Sequence, residues 1–427
     1  MKLTGIKSEL RGSVPMPASK SHTIRAIAAA FLADGESIIR NPLISEDALS
    51  AVRIFSALGA QIDMSDKSAL KVTGCGGKIL DPKKTIDVGN SGTTLRIAAG
   101  IASLSDGSFS IELTGDDQIK TRPIEPLLNS LNELGANAKS LNNNGCAPIE
   151  ITGPLKGGKT TIECITSQYL SSLLFAAPLA KMDTDINVTL LNEPDYVSMT
   201  LSWLDRLNIK YSQNNMKKFN ISGNQKYTSF DLNVPADFSS ATFFLCAGAI
   251  LDGEITLTGL DFSDTQPDKT VADYLIQMGA DIKIDGDTVT VKKSELTGID
   301  IDMNRTPDAL PAMAVAATFA KGTTRLLNVF QARKKETDRI ACMAAELKKM
   351  GASVEELHDG LVIHHSPNIK PVKLNGYHDH RIVMALSLAL MATDSHHGEI
   401  DTAEAMNITF PNFVELMNSI GGNLKIE

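Results

Sequence analysis

One pattern recurs six times along the chain and constrains the fold more than any single motif. An amphipathic stretch ends near Gly-Ala and runs into a short segment of strand character. The copies are FSALGAQI, LNELGANA, LDRLNIKY, LIQMGADI, LKKMGASV and MNSIGGNL. Their turn residues are Gly59, Gly135, Asn208, Gly279, Gly351 and Gly421, at steps of 76, 73, 71, 72 and 70 residues. Because glycine and asparagine tolerate positive φ, this position predicts six helix C-termini, each followed by a strand.

A second, mostly apolar segment also recurs in every unit. Its copies begin at Ser19, Asn90, Thr166, Phe238, Pro307 and Asp379. Alanine-rich helices that are apolar on all sides are typically buried. The intervening segments alternate in polarity, as in TVTVKK, and are bounded by glycine and asparagine turns. Each unit is therefore predicted to contain two helices and several short strands, an α/β repeat with much antiparallel pairing.

Repeats of this length also occur in solenoids that have no active site. The starts of the buried helices argue against that alternative, because they carry residues able to bind anions or to do chemistry. These residues are Lys20, Asn90, Thr166, Ser167, Gln168, Asp308, His380 and Arg381. A helix N-terminus offers free N–H groups and a positive dipole end, so it favours anions. We therefore expect these termini to form a phosphate and carboxylate site.

Composition excludes several classes of protein. The net charge of −9 argues against a general nucleic-acid binder. No apolar run reaches the roughly 18–20 residues that a membrane span needs, and the first residues do not resemble a secretory signal. The five cysteines are scattered and form no CxxC pair, so neither a disulfide framework nor a zinc site is predicted. We expect a cytoplasmic protein.

Seven ordered segments carry a resemblance to a known family. They are ASKSHTIRA (18–26), GNSGTTLR (89–96), KTRPIEPL (120–127), TSQYLSSLL (166–174), VPADFSSATFF (234–244), KKETDR (334–339) and YHDHRIVMALSL (377–388). Together they resemble the 5-enolpyruvylshikimate-3-phosphate (EPSP) synthase family over nearly the whole chain. The resemblance implies an α/β (α+β) fold of six βαβαββ units, an inside-out α/β barrel with three units in each of two domains. One domain would comprise residues 1–18 and 236–427 and the other residues 19–235, with the active site in the cleft between them.

The resemblance also implies a reaction. The enolpyruvyl group of phosphoenolpyruvate would be transferred to the 5-hydroxyl of shikimate 3-phosphate, with release of phosphate, by addition and elimination. These two metabolites are the expected partners, without nucleic acid, membrane, metal or organic cofactor, and the protein is expected to be a monomer. Because both substrates are polyanions, arginine and lysine should dominate the site.

By the motif match, individual residues acquire expected roles. The implied catalytic residues are Lys20, Asp308 and Glu336. Shikimate 3-phosphate would be held by Ser21, Arg25, Thr166, Ser167, Gln168, Tyr196, Asp308, Gln331 and Lys335. Phosphoenolpyruvate would be held by Lys20, Asn90, Gly92, Arg122, Gln168, Arg339, His380 and Arg381. We also expect Asp47 to hold the GNSGT loop by a hydrogen bond to Asn90, the alternative being an exposed acid at a helix start.

The charged segment RKKETDR (333–339) has two interpretations. A charge run alone is usually a solvated helix face. The motif match instead predicts that Lys335, Glu336 and Arg339 point into the site, while Arg333 and Lys334 are solvated. Repulsion between Lys20, Arg25 and Arg122 in one domain and Lys335, Arg339 and Arg381 in the other would keep the cleft open until anions bridge it.

Three positions depart from the pattern of the family. Glu193 replaces a serine and is expected to repel the substrate phosphate, so that its loop contacts the phosphate differently. Ile408 replaces a lysine, which predicts the loss of one phosphoenolpyruvate contact. Gln331 replaces an asparagine and is long enough to make the same contact.

Two motifs suggest other activities and are judged to be accidental. GPLKGGKT (153–160) matches a P-loop, but the strand-like TTIECIT follows where a P-loop needs a helix. HDH (378–380) suggests a metal site, but three consecutive side chains do not readily face one ion. His380 is expected beside phosphoenolpyruvate, and His364, His365, His396 and His397 in loops or at strand ends.

Two competing functions stay open at this point. The first is the related enolpyruvyl transferase that acts on UDP-N-acetylglucosamine, many members of which carry a loop cysteine that GDDQIKTRP (115–123) lacks. The second is a catalytically inactive binding protein, which only the changes at Glu193 and Ile408 support. Intact Lys20, Asp308, Glu336 and Arg339 argue against it.

Overall fold

The computed structural model describes residues 1–394 and 398–427, so that His396 and His397 lie outside the described residues. The chain divides into two compact units, each with its own hydrophobic core. One, called the discontinuous unit here, consists of Met1–Pro17 and Pro235–Glu427. The other, the inserted unit, consists of Ala18–Val234.

Twelve α-helices occur in the described ranges, and buried helices alternate with amphipathic ones. They are α1 (Lys20–Leu32), α2 (Glu46–Ala57), α3 (Gly92–Ala102), α4 (Glu125–Glu133), α5 (Ser167–Ala176), α6 (Pro194–Arg206), α7 (Phe238–Ile250), α8 (Thr270–Gln277), α9 (Leu310–Phe319), α10 (Arg339–Lys349), α11 (His380–Met391) and α12 (Phe413–Ser419).

The strands are short and connect these helices. They are β1 (Leu3–Gly5), β2 (Glu9–Pro15), β3 (Ala33–Arg40), β4 (Gln61–Asp63), β5 (Ala69–Cys75), β6 (Ile86–Asp87), β7 (Ile111–Thr114), β8 (Asn137–Ser140), β9 (Ile149–Thr152), β10 (Gly158–Cys164), β11 (Thr184–Leu191), β12 (Tyr211–Asn214), β13 (Lys218–Ile221), β14 (Tyr227–Thr228), β15 (Asp231–Asn233), β16 (Asp252–Thr258), β17 (Asp281–Asp285), β18 (Thr288–Lys292), β19 (Asp300–Asp302), β20 (Thr323–Leu327), β21 (Ser353–Leu357), β22 (Gly360–His364), β23 (Lys373–Leu374), β24 (Glu399–Ile400) and β25 (Leu424–Ile426).

Six sheets within the described residues share one topology, in which a parallel pair is followed by two antiparallel pairings. The sheet orders are β6-β7-β9-β8, β10-β11-β13-β12, β19-β20-β22-β21, β2-β16-β18-β17, β23-β24-β1-β25 and β14-β3-β5-β4, with β15 also paired to β3. In chain order the second of the inserted unit's repeats reads β6, α3, β7, α4, β8, β9. This is the βαβαββ repeat that the resemblance implied, and the predicted α/β class is confirmed.

Each unit closes on itself by pairing strands that are distant in sequence. In the inserted unit, β14 and β15 supply the parallel strands for β3, with Tyr227 opposite Ala33. In the discontinuous unit, β2 runs parallel to β16 with Glu9 opposite Asp252, and β1 lies between β24 and β25. The N-terminal strands therefore complete repeats whose helices lie more than 200 residues later.

The six recurring turn residues end the amphipathic helices as predicted. Each follows the helix by two positions and has a positive φ, from 56° at Asn208 to 125° at Gly59. In this left-handed region glycine has no Cβ to clash, and asparagine is tolerated. The prediction that these residues form helix C-termini is confirmed at all six positions.

The predicted burial of the apolar helices is also confirmed. In α1 every residue from His22 to Leu32 is buried, and α7, α9 and α11 are buried to a similar extent. Polar caps begin several of these helices, since Ser19, Thr166, Asp237 and Asp379 each accept a hydrogen bond from a first-turn N–H group. The P-loop pattern leads directly into β10 rather than into a helix, which agrees with the prediction that the pattern is accidental.

Candidate active site

In the inserted unit, Lys20 begins α1 and forms an ion pair with Asp47 of α2, Nζ to Oδ2 at 3.2 Å. The expectation that Asp47 holds Asn90 is wrong. The Asn90 amide instead donates to Asp116 Oδ2 at 2.7 Å and to Gln118 Oε1. A flexible lysine at the start of α1 can reach the Asp47 carboxylate, and a full charge pair is the stronger interaction.

Arg25 lies one turn further along α1 and is almost fully buried. Its Nε donates to Thr200 Oγ1 at 3.0 Å, and its two terminal nitrogens donate to the carbonyls of Ser21 and Tyr196 at 3.0 and 3.2 Å. Burial lowers the pKa of Arg25 to about 10. Arg25 therefore ties α1 to α6 next to Ser21 and Tyr196, three of the residues expected to hold shikimate 3-phosphate.

Gly92 begins α3 against two buried guanidinium groups. A methyl group at this position would lie 2.5 Å from Arg96 Nη1 and 2.6 Å from Arg122 Nη1. Arg96 also donates to the carbonyls of Gly92 and Pro123 at 3.2 and 3.0 Å. The glycine is required here for space rather than for its φ, because any side chain would displace the arginines. Arg122 was among the residues predicted from the sequence, whereas Arg96, in the GNSGTTLR motif of Gly92, was not.

We predict that Gly92→Ala keeps the fold and displaces the Arg122 guanidinium, because flexible side-chain ends move more easily than backbone. The Michaelis constant for phosphoenolpyruvate should rise by about tenfold, equivalent to about 1.4 kcal/mol. Steady-state kinetics with each substrate varied in turn would measure this. A rise confined to shikimate 3-phosphate, or no change at all, would contradict the assignment of Gly92 and Arg122.

The N-terminus of α5 presents Thr166, Ser167 and Gln168. The Gln168 side-chain amide donates to Thr93 Oγ1 at 3.1 Å, which links α5 to α3. The hydroxyls of Thr166 and Ser167 donate to Glu193 Oε2 at 3.2 and 2.8 Å, and the Ser167 N–H donates to the same oxygen at 3.2 Å. The expectation for Glu193 was repulsion of a phosphate, but its carboxylate itself accepts hydrogen bonds from these donors.

In the discontinuous unit, Arg339 is the centre of a buried charge cluster. Its Nε donates to Asp379 Oδ2 and its Nη1 to Asp308 Oδ1, both at 2.8 Å, and its Nη2 donates to Glu336. Burial opposes its charge, but Asp379, Glu336 and Asp308 together raise the pKa of Arg339 above its ordinary value. Thr337 adds a hydrogen bond to Asp379 Oδ2 at 3.2 Å.

Two further cationic side chains lie beside Asp308. Arg381 Nη2 lies 3.1 Å from Asp308 Oδ2, and Arg381 Nη1 donates to the Asp308 carbonyl at 3.2 Å. Lys335 Nζ lies 3.8 Å from Asp308 Oδ1. The structure thus brings together five of the predicted residues of this unit, Asp308, Lys335, Glu336, Arg339 and Arg381.

Of the remaining expectations for this unit, some agree with the structure and one, for Arg333, does not. Lys335 and Glu336 are mostly buried rather than solvated, and Lys334 is exposed as expected. Arg333 is not solvated as expected, because its Nη1 pairs with Asp338 at 2.7 Å and with Glu356 at 2.9 Å. Gln331 is buried and its amide donates to the carbonyl of Asn304 at 3.0 Å.

The altered position Ile408 has no polar role in the structure. Its side chain is half-buried and packs against the hydrophobic core of the discontinuous unit. An isoleucine side chain cannot donate a hydrogen bond to a phosphate. The expected loss of one phosphoenolpyruvate contact at this position stays a prediction, and the packing of Ile408 is consistent with it.

Three residues expected at phosphoenolpyruvate carry buried polar atoms that are not satisfied within the described part of the chain. They are Asn90 Oδ1, Gln168 Oε1 and both ring nitrogens of His380. Buried polar atoms are nearly always hydrogen-bonded, so each such atom needs an explanation. A ligand that presents hydrogen-bonding groups to these atoms would provide one.

Burial lowers the pKa of His380 to about 3, so its imidazole is neutral at physiological pH. The unfolded chain binds the proton near pH 6.5, whereas the folded protein resists it until about pH 3. The stability contributed by neutral His380 is therefore complete above pH 6.5 and is lost as the pH falls through this window.

We predict that His380→Gln reduces this acid sensitivity. Between about pH 7 and pH 5 the free energy of unfolding of the wild type should fall by on the order of 2 kcal/mol more than that of the variant. Urea unfolding at both pH values would measure the difference. His378→Gln, at an exposed side chain, is the matched control and should behave like the wild type.

Two buried acids of this unit were not identified from the sequence. Asp379 is fully buried, caps α11 and holds Arg339. Asp268 is buried, accepts a hydrogen bond from Ser239, and has its pKa raised to about 6 by burial and by Asp308. Asp379 stands in the DHR sequence at the start of a buried helix, a signal that could have identified it. TQPDKT around Asp268 offers no comparable signal.

Among the residues that the structure describes, no three His, Cys, Asp or Glu side chains cluster so that they could hold a metal ion. None of the helices in the described ranges combines the length and the apolar character needed to cross a membrane.

Comparison with known proteins assigns the chain to a class of transferases. Residues 5–417 match the family described as EPSP synthase (3-phosphoshikimate 1-carboxyvinyltransferase). Proteins named 3-phosphoshikimate 1-carboxyvinyltransferase from Acetivibrio thermocellus and Ruminiclostridium cellulolyticum are 53% and 51% identical to it, with 98% of each chain covered. The structure of EPSP synthase from Acinetobacter baumannii superimposes with a TM-score of 0.83 at 28% identity, covering 100% of this chain and 99% of that one.

The chain belongs to the EPSP synthase family. The family resemblance stated from the seven motifs is therefore confirmed.

Proposed function

We propose that the protein transfers the enolpyruvyl group of phosphoenolpyruvate to the 5-hydroxyl of shikimate 3-phosphate and releases phosphate. Family membership and the names of its relatives support the reaction. The observation that carries the proposal for this chain is the Asp308 cluster. One carboxylate lies among Arg339, Arg381 and Lys335, as a site for an anionic substrate beside a proton acceptor requires.

We propose that cationic side chains of each unit bind the two polyanionic substrates. For phosphoenolpyruvate we propose Arg122, Arg339, Arg381 and Lys20, assisted by Asn90, Gly92, Gln168 and His380. For shikimate 3-phosphate we propose Ser21, Arg25, Thr166, Ser167, Gln168, Tyr196, Gln331 and Lys335, with Asp308 at the hydroxyls. The unsatisfied atoms of Asn90, Gln168 and His380 support the first set.

The chemistry requires two proton transfers before elimination. Asp308 accepts the proton of the attacking hydroxyl as its oxygen bonds to the central carbon of phosphoenolpyruvate. Glu336 donates a proton to the methylene carbon, which becomes a methyl group. Elimination then returns a proton from that methyl group to the Glu336 carboxylate, while the bond from carbon to the phosphate oxygen breaks and phosphate leaves with its electron pair. Lys20, whose Nζ lies 3.2 Å from Asp47 Oδ2, takes part in these proton transfers.

Release of inorganic phosphate on mixing the protein with both substrates would test this proposal. We expect release to depend on phosphoenolpyruvate and shikimate 3-phosphate together. Release with UDP-N-acetylglucosamine instead would favour the related transferase, and release with neither acceptor would favour an inactive binding protein.

We further propose that the units close on the substrates, because the residues proposed to hold each metabolite are divided between the two units. The paired charges reduce the repulsion expected from the sequence, since Lys20, Arg339 and Arg381 each have a carboxylate partner in their own unit. Bridging anions therefore provide the driving force. We predict a smaller radius of gyration by small-angle scattering once shikimate 3-phosphate is added, and unchanged dimensions would count against closure.

The expected monomeric state and cytoplasmic location are part of the same proposal. Light scattering should give the mass of one 427-residue chain.

A further inference from the structure

Glu193 occupies hydrogen-bond donors that a substrate phosphate would need. Its Oε2 accepts from the Ser167 hydroxyl at 2.8 Å, the Ser167 N–H at 3.2 Å and the Thr166 hydroxyl at 3.2 Å. All three donors belong to the first residues of α5 or to its cap. One carboxylate oxygen thus fills the place at this helix N-terminus that an anionic oxygen favours.

The backbone around Glu193 is held in an unfavourable conformation. Its φ of 58° and ψ of 48° lie in the left-handed region, which is sterically unfavourable for a residue other than glycine. The side chain is also almost completely buried, at 1% exposure. Such conformations persist where surrounding contacts impose them, and they concentrate at ligand sites and switches. The three hydrogen bonds to Thr166 and Ser167 are contacts able to impose this one.

We propose that Glu193 is an internal competitor for the phosphate of shikimate 3-phosphate and thereby sets the affinity for that substrate. The inference rests on the proposed function, in which Thr166 and Ser167 hold this substrate. A phosphate and the Glu193 carboxylate cannot both accept from the same three donors, and two anions at that distance repel. Binding of the phosphate therefore requires the Glu193 carboxylate to leave these donors.

The consequence is specific to the phosphate group. Shikimate lacks the phosphate and has no need to displace Glu193, so the residue reduces the preference for the phosphorylated form. A serine at this position removes the competing charge and adds a hydroxyl donor. Glutamine keeps the size and the acceptor oxygen of glutamate but removes the charge, so its effect should be intermediate.

Isothermal titration calorimetry on the full chain would test this, with shikimate 3-phosphate and shikimate as separate ligands. We expect Glu193→Ser to lower the dissociation constant for shikimate 3-phosphate by about tenfold and Glu193→Gln to lower it by about threefold. The dissociation constant for shikimate should not change in either variant. Glu163→Gln removes the same charge from an exposed position on β10 and should leave both constants unchanged.

Unchanged or weaker binding of shikimate 3-phosphate in both Glu193 variants would overturn the inference. An equal gain for both ligands, or an equal gain in Glu163→Gln, would also overturn it, since the effect would then be one of general charge. If serine prevents folding, the glutamine variant decides alone. Phosphate release by the wild type tests the proposed function separately, because turnover and the binding difference are measured independently.

Discussion

Replacing Arg339 by methionine is expected to abolish measurable turnover and to destabilise the discontinuous unit. Arg339 is 1% exposed and is shared by Asp379, Asp308 and Glu336, so its loss leaves three carboxylates without their common cation. Breaking a buried ion pair by removing one partner typically costs about 3–5 kcal/mol. Loss of a positioned donor at the reacting anion lowers kcat by about 10²–10³ or more. Urea unfolding and phosphate release would measure the two effects.

Arg333→Met is the matched control, because Arg333 in the same segment also pairs with two acids but is more exposed, at 15%. It should cost about 1 kcal/mol or less and leave turnover intact. Equal losses of stability and of turnover in both variants would contradict the central role assigned to Arg339.

The repeat was predictable from the sequence because its signals are local. A turn residue such as Asn208 or Gly279 must tolerate positive φ, and an alanine-rich helix such as α1 must be buried, whatever the rest of the chain does. The closing strands were not predictable in this way. Only the family resemblance, which grouped residues 1–18 with residues 236–427, anticipated that β1 and β2 pair with strands more than 200 residues later, because register depends on distant partners.

At the candidate site, too, the types of residue were predictable from the sequence, but their contacts were not. Motifs singled out several of the cations and acids, since two polyanionic substrates and a proton transfer demand those residue types, but they missed Arg96, Asp268 and Asp379. They did not identify partners, because a side chain pairs with whatever the tertiary fold brings near. Lys20 pairs with Asp47, and Asn90 bonds to Asp116 instead. Glu193 was expected to repel an anion, yet it takes the position of one at α5.

These contacts change how the charge of the site should be regarded. The expected picture was of unpaired cations awaiting anionic substrates. In the structure, the carboxylates Asp47, Asp308, Asp379 and Glu193 already occupy the groups proposed to bind substrate. If these groups bind substrate as proposed, binding is an exchange of one anion for another, which lowers the net gain in free energy but adds selectivity for ligands that replace every bond they break.

Asp308 belongs both to the proposed binding residues and to the proposed chemistry, and Asp308→Asn separates these two roles. Asparagine keeps the size and one acceptor oxygen but cannot take the hydroxyl proton. If Asp308 is the base, kcat should fall by about 10²–10⁴ with little change in the Michaelis constant for shikimate 3-phosphate. A higher Michaelis constant with normal kcat would instead identify a residue that only binds the substrate hydroxyls.

A second readout of the same variant needs no turnover. Burial raises the pKa of Asp268 to about 6, and the charge of Asp308 adds to this, so removing that charge should lower the pKa of Asp268. Nuclear magnetic resonance titration of the Asp268 carboxyl carbon would follow the change. Asp300→Asn, at an exposed carboxylate paired with Arg325, should alter neither kcat nor this titration. An unchanged Asp268 titration in Asp308→Asn would mean that the two carboxyl groups are not electrostatically coupled, whatever the kinetics show.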